Sequence, residues 1–170
     1  MSVRRTRMNE SQIDRRIDFL IREANSENTI PDQAITYAFR VITNYLSVGC
    51  DARSRKLSWD CRYRSKKAHD LFLLLNDRKA WLDKVTNEHQ YPIKRAWEWM
   101  KKERNKLTVR RVKNRLKKWP VVVVTKEENK RLKDEPNIGP DQRYRNAGIK
   151  VLERNDSGDW RLFSPNQIPD

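Results

Sequence analysis

The stretch KKERNKLTVRRVKNRLKKWPVVVVTKEE, residues 101–128, decides how the chain is read. Thr108 is suited to cap a helix, because its hydroxyl can accept from one of the backbone N–H groups that a first turn leaves unbonded. Behind it, Val109, Val112, Leu116 and Trp119 recur at the spacing of a single helix face, and Pro120 ends the helix. Val121 to Val124 are four β-branched residues in a row, which predicts a buried strand. Thr125-Lys126-Glu127-Glu128 has the form of a capping box and opens a short helix to about Leu132.

Upstream of this stretch the pattern is helical. Ile13, Ile17, Leu20 and Ile21 form one stripe, so a first helix is expected from Ser11 to Ala24 with Ser11 as its cap. Pro31 opens a second helix, whose face is Ala34, Ile35, Ala38, Phe39, Ile42, Tyr45 and Leu46, and Gly49 stops it. In 57–61, Leu57, Trp59 and Cys61 alternate with polar residues, which suits a short strand or a loop. A third helix is expected from Ser65, with the run Leu71 to Leu75 buried on more than one side. Thr86 to Pro92 reads as a polar loop, and Pro92 starts a fourth helix through Ile93, Ala96, Trp97 and Met100. Downstream, Gly148 to Glu153 and Trp160 to Phe163 read as strands joined by a turn at Asp156-Ser157-Gly158-Asp159.

The expected fold is therefore α+β, about five helices followed by a small C-terminal antiparallel sheet. Its single domain spans 11–163, between a flexible basic arm at 1–10 and a loose tail at 164–170. Helix, turn, capped basic helix and closing hairpin follow one another in the order of a winged helix-turn-helix unit, in which 108–118 would enter a nucleic-acid groove.

The charge has a pattern of its own. The chain holds 38 Lys and Arg against 23 Asp and Glu, a formal +15. Residues 52–67 carry Arg53, Arg55, Lys56, Arg62, Arg64, Lys66 and Lys67 against Asp60 alone. Residues 101–118 carry Lys101, Lys102, Arg104, Lys106, Arg110, Arg111, Lys113, Arg115, Lys117 and Lys118 against Glu103 alone. The excess in these two runs equals the whole net charge, and elsewhere acids and bases cancel. Solvated helix faces normally mix signs, so runs of one sign point to a polyanionic partner. DNA or RNA is expected, held mainly by phosphate contacts that position a strand without reading it. Trp59, Tyr63 and Trp99 lie within or beside the runs and are candidates for stacking on unpaired bases. An acidic protein partner, on which the chain would dock and which it would inhibit, is the alternative that the same charge allows.

One segment carries catalytic chemistry on paper. Glu88 and His89 pair a carboxylate with the side chain best placed to move a proton near neutral pH. With Arg143, Tyr144 and Arg145 stabilising charge, they would make a metal-independent, RNase-like nuclease. Glu88-His89-Gln90-Tyr91-Pro92 also resembles the opening of an HNH nuclease motif, but His89 is the last histidine and nothing later completes that unit. Cys50, Cys61, His69 and His89 have no close-spaced pair of the kind that holds zinc, so no metal and no cofactor is expected. No run is long and apolar enough for a membrane span, and the start lacks the apolar core of a signal peptide. The expectation is a cytoplasmic protein that does not enter membranes.

Overall fold

The computed structural model describes residues 9–26, 33–48, 54–133 and 138–164, with side chains from Leu57 onward in the third segment. The expected basic arm (residues 1–8), Cys50, Arg53 and the tail from 165 lie outside the described residues.

Four helices make one layer. They are α1 (Glu10–Ala24), α2 (Gln33–Val48), α6 (Ile93–Lys102) and α7 (Val109–Lys118). Ile13, Ile17 and Leu20 of α1, Phe39 and Ile42 of α2, Trp97 and Met100 of α6, and Val112 and Leu116 of α7 close a single apolar core. These are the stripes that the periodicity marks. The cap of α1 is Asn9 and not Ser11: its side chain accepts from Gln12 N while Gln12 returns a bond to the Asn9 N–H. That reciprocal box outcompetes a lone serine two residues later.

The second layer is a sheet in the order β2-β3-β1-β4-β5 with its own core. The strands are β1 (Tyr63–Ser65), β2 (Val85–His89), β3 (Val121–Thr125), β4 (Val151–Arg154) and β5 (Trp160–Leu162). β3 is buried along its whole length, since α2 packs on it from the helical layer and α4 (Lys66–Leu75) from the other side. A strand covered on both faces needs no polar alternation, which is why four valines stand in a row. The β3–β1 pair is parallel and the other three pairs are antiparallel. The class is α+β as expected, but nine helices occur among the described residues, and two strands come from mid-chain.

The other helices are α3 (Ser54–Asp60), α5 (Arg78–Lys84), α8 (Lys126–Arg131) and α9 (Pro140–Asn146). Residues 57–61 thus lie in and just after α3, neither strand nor simple loop; the apparent alternation comes from Leu57 reaching Val121 and Ser58 reaching Asn87. The expected loop 86–92 begins as β2. Its polar residues hide the strand, because Asn87, Glu88 and His89 have polar neighbours inside the fold. Leu73 and Leu74 are 64 % and 81 % exposed, so the leucine run of α4 is not buried on several sides. The expected unit of helix, turn and capped helix is present as α6, a short 3₁₀ turn (Arg104–Lys106) and α7. The C-terminal hairpin β4–β5 is separated from β3 by β1 and does not adjoin the strand that follows α7.

Candidate nucleic-acid interface

The Thr108 hydroxyl accepts from Arg111 N at 3.2 Å, which fixes where α7 begins and therefore which way each cation points. With Val112 and Leu116 turned inward, the 3.6-residue period sends Arg110, Asn114 and Lys117 outward. Arg110 and Lys117 are exposed. One flank of α7 meets α1, where Lys113 bonds Asp14 at 2.5 Å and Glu10 at 3.4 Å. The other flank is aromatic. The Arg115 guanidinium lies 4.2 Å from the Trp119 ring centre, 5.1 Å from that of Trp99 and 5.5 Å from that of Tyr91. Arg111 lies 5.7 Å from Trp99 and bonds Glu103 at 2.9 Å. That bond holds the Glu103 carboxyl below its usual range and neutralises the one acid of the run.

Beyond α7, Lys102, Arg104 and Lys106 are exposed at the end of α6 and on the 3₁₀ turn. Lys101 is turned back, donating to the Ser26 carbonyl at 2.5 Å over the Trp97 ring. Lys118 lies beside Trp119. The second run therefore divides. Lys102, Arg104, Lys106, Arg110 and Lys117 face solvent, while Lys101, Arg111, Lys113 and Arg115 are engaged within the fold. Trp99 is half-buried, and the Arg111 and Arg115 guanidiniums already lie over its ring.

The first run fares differently. Arg64 is 4 % exposed in the centre of the sheet, its guanidinium within 5.1 Å of the rings of Phe72, Trp81 and Trp160 and bonded to the Trp59 carbonyl. Burial, with Arg154 nearby, lowers its pKa to about 10. Arg64 does not face a strand, and the same is true of Tyr63, buried against Phe163 with its hydroxyl on Glu153. Trp59 packs edge-on against Phe72 and Trp81 under Arg78. Arg62 pairs with Asp156, Lys66 with Asp70 and Lys67 with Glu127. Arg55 and Lys56 lie in α3, with side chains outside the description.

In the Glu88 segment the carboxylate and the imidazole are drawn to different partners. Successive residues of a strand point to opposite faces. The Glu88 carboxylate reaches α9, accepting from Arg143 Nη2 at 2.8 Å and Tyr144 Oη at 2.6 Å. Both partners are buried, and burial beside Glu88 pushes the Tyr144 phenol well above its ordinary pKa. His89 turns the other way, with Nδ1 3.4 Å from the Thr43 hydroxyl of α2. Burial, and secondarily Arg40, brings its pKa down to about 4, so it is neutral at pH 7. Arg145 is exposed on α9. A buried ion pair with a tyrosine is what Glu88, Arg143 and Tyr144 make, a structural arrangement that fixes α9 to β2.

Glu128, too, is structural. Its carboxylate accepts from Ser65 Oγ at 2.5 Å and from Thr125 N at 2.9 Å, tying the caps of α4 and α8 together. Cys61 is buried and donates to the Val121 carbonyl at 3.3 Å; burial raises its thiol to about 11. His69 lies against Trp160, far from any shared ligand set with Cys61 and His89. Among the described residues no three His, Cys, Asp or Glu side chains come together as metal ligands, and no helix is long and apolar enough to cross a membrane.

Sequence reasoning missed the acids of α1 that claim Lys113, and it missed Gln90, which is buried against α9 with its amide 3.3 Å from Asp141. Reading 85–90 as a strand would have found Gln90, since it falls on the same face as Glu88. Comparison with family models, with curated proteins and with solved structures returns no match for this chain.

Proposed function

We propose that this protein binds nucleic acid along the surface formed by the end of α6, the 3₁₀ turn and α7. One observation carries the reading: Lys102, Arg104, Lys106, Arg110 and Lys117 lie exposed on consecutive elements, while the single acid among them is neutralised by Arg111. A surface rich in one sign attracts a polyanion and gains from release of the polyanion's counterions. Arg110 and Lys117 sit on a capped helix packed against α1 and α2, so little backbone order has to be gained there on binding.

The test is a salt series with labelled single- and double-stranded DNA and RNA, with magnesium or with a chelator. Five phosphate contacts correspond to a slope of log affinity against log salt of roughly −3.5 to −4.5. The double variant Arg110→Glu, Lys117→Glu keeps its fold, because both side chains are exposed, and is expected to weaken binding at least about tenfold and flatten the slope. Unchanged affinity in that variant overturns the assignment to α7. Failure of the native protein to bind any strand overturns nucleic-acid binding and leaves an acidic protein surface as the partner to seek. Strand cleavage that survives the chelator and is lost in His89→Ala would favour the nuclease reading.

A further inference from the structure

A cleft of about 410 Å³ opens where the end of β2 meets α9 and the outer strands β4 and β5. Its size falls in the range of small-molecule sites, roughly 300–1,000 Å³. Its lining is graded from bottom to rim.

Gln90, 3 % exposed, is at the bottom. The strand period that sends Glu88 to α9 sends Gln90 there as well. Its Nε2 donates to Asp141 Oδ1 at 3.3 Å, and the same oxygen accepts from Trp119 Nε1 at 3.1 Å. Gln90 Oε1 is buried with no donor within reach. A buried amide oxygen without a partner carries a desolvation cost of about 1–3 kcal/mol, and natural folds leave few such groups unless a water or ligand supplies the donor. The wall is apolar: Ile149 is buried, and the half-buried Phe163 contributes its ring. At the rim, Arg145 and Lys150 are exposed.

We propose that this cleft binds a single nucleotide, with its base edge against Gln90 and Asp141, its base plane along Phe163 and its phosphate at Arg145 and Lys150. Acceptors at the bottom require a ligand that donates, a flat apolar wall suits a base, and two rim cations suit a phosphate. The polarity also selects among bases. Guanine, adenine and cytosine present an exocyclic amino group to a pair of acceptors, whereas uracil and thymine present a lone imide N–H between two carbonyls that Gln90 and Asp141 would repel. The nucleotide could enter free or as an unpaired residue of a strand; the second source rests on the α7 interface proposed above, since Asp141 is bonded to the tryptophan that ends α7.

Calorimetric titration of the intact protein with GMP, AMP, CMP and UMP, alongside a single strand carrying a fluorescent adenine analogue, separates these cases. The amino-bearing monophosphates are expected to bind about tenfold or more tightly than UMP, the worth of one charge-assisted hydrogen bond. Arg145→Glu with Lys150→Glu should weaken them by at least about tenfold, and both positions are exposed, so the fold is kept. The Arg110→Glu, Lys117→Glu variant should retain mononucleotide affinity while losing strand affinity. Quenching of the analogue without mononucleotide binding identifies the in-strand source. Strand binding with neither quenching nor monophosphate binding overturns the cleft and leaves the α7 surface standing. Monophosphate binding without strand binding does the reverse. Equal affinity for UMP, or no effect of the rim reversal, overturns the assigned pose.

Discussion

Residues 52–67 and 101–118 are alike as strings, basic runs with one acid and with aromatics inside the first and flanking the second, yet the fold uses them in opposite ways. In the first run Arg64 is enclosed by Phe72, Trp81 and Trp160, and Arg62, Lys66 and Lys67 each meet an acid. In the second, Lys102, Arg104, Lys106, Arg110 and Lys117 remain outward while Arg111 neutralises the only acid. The difference lies in what surrounds each run in space. β1 is the middle strand of the sheet, so its side chains are buried whatever their type. α7 is an outer helix with one face on α1 and α2, so about half its side chains must meet water. A cation count is thus a statement about composition, and the element that carries the cations decides whether they form a surface.

The sharpest way to break this contrast is Arg64→Ala. Removing a guanidinium from between three rings leaves a void and a bare Trp59 carbonyl, and the expected loss is about 3 kcal/mol, within the range for emptying a core position. Urea unfolding measures it. Strand affinity of the folded protein should not change. A stable Arg64→Ala variant with weakened binding would show that the first run is a surface after all.

A second, somewhat smaller effect sits between the two layers. His89 is neutral in the fold, with its pKa brought to about 4, and titrates near 6.5 when unfolded. Between those values the unfolded chain takes up a proton that the fold refuses. Stability should therefore fall as pH drops from about 6.5 to about 4 and level off below, by at most roughly 3 kcal/mol. Replacing the imidazole by an amide, His89→Gln, removes that component. Unfolding curves of the two proteins at pH 7 and pH 4.5 compare them, and an equal acid sensitivity would mean that His89 is solvated in the fold.

The same contrast between local and distant partners governs how much of the fold the sequence displays. The stripes of α1, α2, α6 and α7, the Thr108 and Thr125 caps and the valine strand were legible because each rests on local periodicity or on a cap a few residues long. β1 and β2 were not. Three residues cannot display a period, and Asn87 and Glu88 look like loop because their partners, Ser58 and Arg143, lie 29 and 55 residues away. The site split along the same line. The exposed cations follow from the phase of α7, which its buried face sets. The loss of Arg64 and Tyr63 to the core depends on non-local strand pairing, and so does the separation of His89 from Glu88.

The smallest effect tests the contrast inside the second run itself, where Lys113 and Arg110 are three residues apart on one helix. Lys113 is mostly covered and bonded to Asp14 and Glu10, while Arg110 points away. Lys113→Glu would place three carboxylates together at the α1–α7 seam. A partly exposed ion pair is worth up to about 1 kcal/mol, and reversal adds repulsion of similar size, so a loss of roughly 1–2 kcal/mol in stability is expected. Arg110→Glu should leave stability within about 0.5 kcal/mol, as for an exposed position without special contacts. Binding should invert the order, Arg110→Glu weakening strand affinity more than Lys113→Glu does in its folded fraction. If the two variants lose affinity equally, the field of the whole helix matters and the direction of each side chain does not, and the division of this run into engaged and outward cations would have no functional meaning.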